Sequence, residues 1–204
     1  MVKILGICGS PRKSSTEYAL EQSLAAAEAV GGIETEMLTL RGKKINFCLH
    51  DDKCIREGAD HCTLWEDDWT KVYRKVFDAD GLIIASPVHS MGITGQLATF
   101  FDRFRANWIL LQKAPETFNR KVGAALTVGG TRNGGQETTI NVIHGFFHTQ
   151  GVTIVNGGMG AYSGGMVWSK DRMAEGAAED EIGMENVKYI GQRVAEVALK
   201  LNKG

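Results

Sequence analysis

The 204-residue sequence contains little proline, little cysteine and almost no net charge. With only three prolines, 43% hydrophobic and 23% charged residues, its composition excludes disordered and fibrous classes and is typical of a folded globular protein. The net charge is -1, and no run of five or more like charges occurs. Such a chain has no field that attracts a polyanion, so we expect neither nucleic acid nor a membrane surface as a partner.

Long apolar segments are also missing. A short strand-like run starts at Val2, and no apolar stretch approaches the roughly 20 residues needed to cross a bilayer. We therefore expect a cytoplasmic protein. The cysteines are few, and three of them, Cys48, Cys54 and Cys62, lie within fifteen residues. This clustering favours reduced thiols, with a metal site as an option, over extracellular disulfides.

Apolar runs of four to seven residues alternate with longer helical patterns, which is typical of an α/β fold with a parallel sheet. The first, third and fourth runs are almost continuously apolar, as expected for strands covered on both faces. In the second run, the acidic residues Glu34 and Glu36 alternate with the other residues, which predicts an edge strand. The predicted strands are Val2 to Cys8, Ile33 to Leu40, Gly81 to Ser86, Val122 to Val128 and Val152 to Val155.

Helical spacing of apolar residues predicts a helix ending before Gly31, another from Gly95 towards Trp108, and a final amphipathic helix over 187–201. We expect a single domain over residues 1–204. Two stretches interrupt the alternation of predicted strands and helices. They are a cysteine-containing insertion at about 42–65 and an irregular, glycine- and methionine-rich segment at about 156–183. Loops of this length are usually functional or disordered, so both stretches are candidates for functional segments.

The turn after the first strand combines small residues, hydroxyls and basic side chains ahead of a helix. A helix N-terminus offers free N–H groups and partial positive charge, which predicts a phosphate site. The alternative is ordinary capping by one hydroxyl, worth about 1 kcal/mol. Neither a Walker loop nor a dinucleotide-binding glycine fingerprint is present. The candidate ligands are Ser10, Arg12, Ser14, Ser15 and Thr16.

Two further motifs follow the third and fourth strands: the sequence from Ser86 to Leu97, whose helix continues to Arg103, and the sequence from Val128 to Glu137. Together with the first turn, they resemble the NADPH-dependent FMN reductase and iron-sulfur flavoprotein families. The resemblance covers roughly residues 2–155. It implies a flavodoxin-like three-layer sandwich with a five-stranded parallel sheet, which binds ligands at the carboxyl ends of its strands.

The resemblance also implies an FMN site built from these three loops. The first turn would hold the FMN phosphate, the second loop would run beside the isoalloxazine ring, and the third would close over its pyrimidine side. Taken singly, the second and third loops are equally well explained as a strand end and a flexible glycine loop. The implied residues of these two loops are Pro87, Val88, His89, Ser90, Met91, Gly92, Gly129, Gly130, Thr131, Gly134 and Gly135.

Two positions depart from the family pattern. His89 stands where relatives often carry an aromatic residue, and Ala98 stands where they often carry lysine. The surroundings of the flavin ring are therefore expected to be unusual.

Iron-sulfur flavoproteins carry a compact Cys-x2-Cys-x2-Cys motif and a fourth cysteine in this insertion. The present chain instead has Cys48, Asp51, Cys54 and Cys62, with an aspartate at the second position. A [4Fe-4S] cluster usually requires four cysteines, so Asp51 would supply an oxygen ligand or a three-iron cluster would form. Zinc bound with help from His50 or His61, and thiols without metal, are the alternatives.

The function implied is that of an FMN-dependent oxidoreductase, which passes electrons from NAD(P)H to a quinone, flavin, metal or protein acceptor. FMN carries the chemistry, and we expect no side-chain acid or base, with His89 the one weak candidate. The alternatives are an electron carrier without its own small-molecule substrate and a regulatory or structural protein that keeps FMN. We expect a homodimer or homotetramer.

Overall fold

A parallel β-sheet covered by helices on both faces forms the centre of the protein. The computed structural model describes residues 1–202. The strands are β1 (Val2–Cys8), β2 (Ile33–Thr39), β3 (Gly81–Pro87), β4 (Val122–Gly129), β5 (Thr153–Ile154) and β6 (Gly165–Trp168). The α-helices are α1 (Ser15–Glu28), α2 (Lys53–Arg56), α3 (Trp69–Asp78), α4 (Gly95–Asp102), α5 (Asn107–Lys113), α6 (Glu116–Asn119), α7 (Gln136–Gln150), α8 (Met173–Ala178) and α9 (Glu181–Asn202).

The strand order is β2-β1-β3-β4-β5, and all neighbouring strands are parallel. This is the order of flavodoxin-like folds, in which the chain changes direction across the sheet between β1 and β3. The predicted α/β class, the parallel sheet and the edge position of the second strand are confirmed.

The fifth position of the sheet is occupied by two short strands. β5 pairs with Val122 and Gly123 at the start of β4, whereas β6 pairs with the stretch from Leu126 to Gly129 at its end. The prediction of one strand over 152–155 identified β5 but missed β6, which pairs with the second half of β4. The segment 156–183 is also not irregular throughout, because it contains β6, α8 and the start of α9. A buried central strand such as β4 needs hydrogen-bond partners along its whole length, and β6 supplies them.

Helices on the two faces bury two separate apolar clusters. Ile4 and Ile83 pack towards α1 and α9, whereas Leu5 and Ile84 point the other way, towards α3, α4 and α7. Successive residues of a strand point to opposite faces, so both faces of the sheet carry apolar side chains. This is the predicted three-layer sandwich.

The helix predicted to run from Gly95 to Trp108 is broken into α4, a 3-10 helix (Arg103–Ala106) and α5. Trp69 is fully buried in the core, but Trp108 is 55% exposed. The final helix is longer than its apolar pattern suggested and begins at Glu181. Within residues 1–202, none of the helices has the length and apolar character needed to cross a membrane.

Candidate functional site

Three loops meet at the carboxyl edge of the sheet, where β1, β3 and β4 end side by side. The backbone N–H of Gly9 donates to Ala85 O (2.8 Å), and that of Val88 donates to Val128 O (2.9 Å). The Thr94 hydroxyl donates to Gly9 O (2.7 Å) across a sequence separation of 85 residues. The loop after β3 is therefore tied to the loops on both sides of it.

The first loop leads into α1 without a side-chain cap. Ser14 occupies the N-cap position but makes no capping hydrogen bond. The first backbone bond of the helix runs from Tyr18 N–H to Ser14 O (3.0 Å), so the amides before Tyr18 have no partner within the helix. The capping explanation of this hydroxyl-rich turn is thus not what the structure contains, and free donors remain for an anion.

The predicted phosphate ligands differ in exposure. Ser10 is 3% exposed, and its hydroxyl donates to Arg12 O (2.8 Å), which fixes the shape of the turn. The Thr16 side chain is buried, Ser14 and Ser15 are partly buried, and Arg12 is exposed.

A carboxylate also lies in the first turn of α1, where it would oppose an anion. Glu17 is 6% exposed, and Arg41 pairs with it at 2.5 Å. This ion pair neutralises the carboxylate beside the free amides.

The second loop contains a tight turn from His89 to Gly92, whose backbone groups exchange both hydrogen bonds at 2.9 Å. Ser90 and Met91 at its centre have φ angles of 50° and 62°, as in a type I′ turn that normally favours glycine or asparagine. Strained backbone of this kind is concentrated at ligand sites and turns. The His89 side chain is exposed, and its backbone closes the turn.

The third loop is held by the side chain of Gln136, which is 4% exposed. Its amide nitrogen donates to Thr131 O (2.5 Å), and its amide oxygen accepts from Gly134 N–H (2.8 Å). Gly135 has φ 106° and lies against Met91 of the second loop, where an added Cβ would be 2.9 Å from the Met91 Cα. The second and third loops are therefore in direct backbone contact.

Sequence reasoning missed the residues that hold these loops: Thr94, Gln136 and Trp168. Trp168 donates from Nε1 to Gly130 O (2.7 Å), and the cations of Arg132 (4.9 Å) and Lys170 (5.4 Å) both lie over its ring. Thr94 was detectable as a hydroxyl residue just before a helix. Trp168 was not, because its strand belongs to the segment predicted to be irregular.

The cysteine insertion forms a second candidate site beside the end of α4. The side chains of Cys48, Asp51, Cys54 and Cys62 line one small pocket. Burial raises the pKa of the Cys54 thiol, and the nearby Cys62 and Cys48 raise it further, because neighbouring thiolates would repel one another. The four predicted ligands therefore line one pocket, but no three of them form a metal-binding group within residues 1–202. The free space between them is about 10 Å³, close to that of a single water, so a larger guest needs these side chains to turn outward.

The remaining cysteine does not belong to this group. Cys8 is fully buried at the end of β1, and burial raises the pKa of its thiol to about 11. It stays a neutral thiol within the core.

The two histidines considered for zinc lie outside the cysteine pocket. His61 is bound to Asp60 through Nδ1 (2.7 Å), and His50 lies on the side of the loop that faces Trp108. In the part of the chain that the structure describes, no three His, Cys, Asp or Glu side chains form a group that could hold one metal ion.

Cationic side chains surround the thiols. Lys53, Arg103 and Arg105 line the same pocket. Arg105 pairs with Asp52 (2.8 Å), and Arg103 pairs with Asp67 (2.7 Å). Asp52 is occupied by Arg105, whereas Asp51 accepts a backbone hydrogen bond from Lys53 N–H at Oδ1 (3.3 Å).

Comparison with known proteins identifies the family. The NADPH-dependent FMN reductase family matches residues 2–164, which is most of the chain. The chain belongs to this family. It is 42% identical over 206 residues to an iron-sulfur flavoprotein of Methanocaldococcus jannaschii, with full coverage of both chains. It is also 40% identical over 199 residues to an iron-sulfur flavoprotein of Archaeoglobus fulgidus, covering 97% of this chain and 98% of that one.

A solved structure supports the fold alone. The flavodoxin, WrbA-like protein from Agrobacterium tumefaciens superposes with a TM-score of 0.67 at 18% identity, over 98% of this chain and 99% of that one. The predicted family and flavodoxin-like fold are confirmed, and the protein is a flavoprotein of an FMN-binding oxidoreductase family. The residue-level assignments of the FMN and cysteine sites stay predictions.

The contact between Gly135 and Met91 gives a test of how the FMN reductase loops are built. Gly135→Ala should lower the free energy of unfolding by at least about 1–2 kcal/mol, because alanine is strained at positive φ and its Cβ would press on Met91. Gly145→Ala, in the exposed middle of α7 with open space around it, should instead raise stability by about 1 kcal/mol. Urea unfolding of both variants measures the difference, and equal effects would contradict the described loop packing.

Proposed function

We propose that the protein is an FMN-dependent oxidoreductase that passes electrons from NAD(P)H to a quinone, flavin, metal or protein acceptor. The observation that carries the proposal is the row of unpartnered amides at the start of α1, placed at the same sheet edge as the loops after β3 and β4. In flavodoxin-like sheets, this edge near the β1/β3 switch point binds the ligand. The name of the family supports NADPH as the donor.

The residues of this chain would bind and orient the cofactor. The amides around Ser15 and Thr16 would hold the phosphate. The first backbone bond of α7 runs from Thr139 N–H to Gly135 O (3.0 Å), so the amides of residues 136–138 have no partner within the helix and would be donors to the pyrimidine edge of the flavin. Bound FMN would supply hydride acceptance and electron transfer. A cytoplasmic location and a homodimer or homotetramer belong to the same proposal.

The deciding experiment uses the purified yellow protein under anaerobic conditions. NADH or NADPH alone should bleach the flavin absorbance, and a quinone or free flavin should restore it. A protein that dithionite bleaches but neither nicotinamide does would refute the reductase proposal and leave an electron carrier. The relative rates with NADH and NADPH then give the donor preference.

A substitution at Ser14 distinguishes a phosphate site from simple helix capping. Since its hydroxyl makes no cap bond, Ser14→Ala should leave the stability of the FMN-free protein within about 0.5 kcal/mol of wild type but weaken FMN binding about tenfold, the effect of losing one hydrogen bond to a charged group.

The control is Thr94→Ala. The Thr94 hydroxyl does cap a helix, accepting from Leu97 N–H (3.2 Å), so its loss should destabilise the FMN-free protein by about 1–2 kcal/mol. Fluorescence titration with FMN and thermal unfolding of the FMN-free protein provide the two readouts. A Ser14→Ala variant that loses stability as Thr94→Ala does would restore the capping explanation.

A second candidate function is electron transfer through an iron-sulfur centre in the cysteine pocket. It is favoured by the presence of Cys48, Asp51, Cys54 and Cys62 in the lining of one pocket. Three thiolates and a carboxylate together carry four negative charges, which iron and the surrounding cations would compensate. The relatives named iron-sulfur flavoproteins support the same proposal.

If Asp51 is a ligand of such a cluster, we expect the iron that it binds to be lost more easily than the others. An oxygen ligand suits iron-sulfur chemistry less well than a thiolate, so oxidation of anaerobically prepared wild-type protein should release about one iron per site. Asp51→Cys should retain that iron, whereas Asp52→Cys should not, because position 52 is not one of the four predicted ligands. Iron and sulfide analysis before and after oxidation measures this. Equal iron loss in all three proteins would exclude Asp51 as a ligand, and zinc without sulfide would favour the zinc alternative.

A further inference from the structure

The first turn of α1 has the sequence of a capping box but lacks both of its hydrogen bonds. In this motif, an N-cap serine accepts from the N–H of the third helical residue, and a glutamate at that third position accepts from the N-cap N–H. Ser14 and Glu17 occupy these two positions. Ser14 makes no side-chain cap bond, and the Glu17 carboxylate is bound to Arg41 instead of the Ser14 N–H. The amides at the start of α1 are therefore left free of both capping bonds.

Arg41 holds the Glu17 carboxylate from the neighbouring loop. Its Nη1 donates to Glu17 Oε2 (2.5 Å), and the side chain of Glu17 is only 8% exposed. A carboxylate buried to this extent requires a partner. Arg41 lies two residues after the end of β2, where Leu40 N–H donates to Cys8 O (3.0 Å) and Arg41 N–H donates to Thr39 Oγ1 (3.2 Å). The guanidinium is thus carried by a segment that is fixed to the end of β1.

Without Arg41, the capping motif would bring the Glu17 carboxylate to the start of α1. There it would accept from the Ser14 N–H, and the partial positive charge of the helix end would favour it. A phosphate monoester requires the same charge and the same group of amides. The Glu17 carboxylate is therefore an internal competitor of a phosphate at this helix start.

We propose that Arg41 is a positioning residue that gives the site its preference for a phosphorylated flavin. By binding Glu17, it keeps the carboxylate off the amides that take the phosphate of FMN. Riboflavin has the same ring system but no phosphate, so it does not compete with Glu17. This inference rests on the proposed FMN site, and it adds to that site a residue from the loop after β2, outside the three predicted loops.

The experiment compares the binding of FMN and of riboflavin to the FMN-free, full-length protein by fluorescence titration. Arg41→Gln frees the carboxylate, so FMN binding should weaken about tenfold, as expected for one uncompensated negative charge beside the phosphate. Riboflavin binding should stay as in the wild type. Glu17→Gln/Arg41→Gln removes the competitor together with its partner and should restore the FMN affinity.

Lys44→Gln is the control for the loss of a positive charge. Lys44 is exposed and lies further along the same loop, and it is its backbone N–H that is bound, to Asp68 Oδ2 (2.9 Å). The FMN affinity of this variant should equal that of the wild type. A loss as large as in Arg41→Gln would indicate a general effect of charge and refute the positioning role.

Two further results would overturn the inference. Equal losses of FMN and riboflavin affinity in Arg41→Gln would mean that the fold of the site is damaged. A double variant that binds FMN as weakly as Arg41→Gln would mean that Arg41 acts on the phosphate through its own charge. If Arg41→Gln does not fold, the double variant decides alone: a preference for FMN over riboflavin equal to that of the wild type supports the inference, and a reduced preference overturns it.

The outcome is separable from the proposed function. A wild-type protein that binds neither flavin would overturn this inference together with the proposed FMN site. A protein that binds FMN without any effect of Arg41→Gln would remove this inference alone. Electron transfer from NAD(P)H is read separately, from bleaching of the flavin.

Discussion

The common direction of β1, β3 and β4 is the constraint on which the rest of this structure depends. Because these strands are parallel and adjacent, their carboxyl ends lie at one edge, and the helices that follow them begin there. Every helix start brings unpaired N–H groups and partial positive charge to that edge. Thr94 then joins two of the loops by donating to Gly9 O while capping α4. A concentration of backbone donors at this edge follows from the sheet topology before any charged side chain is considered.

The two candidate sites differ in the groups that they present to a negatively charged ligand. At the start of α1, the donors are backbone amides, and Arg41 cancels the nearby Glu17. In the cysteine pocket, Lys53, Arg103 and Arg105 line the walls, and each is paired with a carboxylate: Glu57 (3.9 Å), Asp67 (2.7 Å) and Asp52 (2.8 Å). The first site therefore offers free backbone donors to a negative group, whereas the cations of the second already have partners.

The sequence predicted the features that come from regular patterns. Continuous apolar runs identified β1, β3 and β4, and the alternation at Glu34 and Glu36 identified β2 as an edge. The hydroxyl-rich first turn and the three thiols were found from residue type and spacing alone. These features are local in the chain, so a single sequence contains them.

What the sequence could not give are contacts between distant segments. β6 forms because the second half of β4 needs a partner, and nothing in the stretch from Gly165 to Trp168 marks it as a strand with certainty. The support of Gly130 by Trp168 and the pairing of Arg103 with Asp67 span 38 and 36 residues. Such pairs depend on tertiary packing, which periodicity does not record. The same holds for His50 and His61, which are near the thiols in sequence but outside their pocket.

The cysteine insertion is anchored by residues that are not among its candidate ligands. Asp67 accepts from Asn46 N–H (2.8 Å), Asp68 accepts from Lys44 N–H (2.9 Å), and Trp65 donates to Phe47 O (3.2 Å). The shape of the loop is therefore set by the polypeptide itself. A loop held by its own contacts does not need a bound group for its shape, so removal of any guest would leave an ordered pocket rather than an unfolded segment.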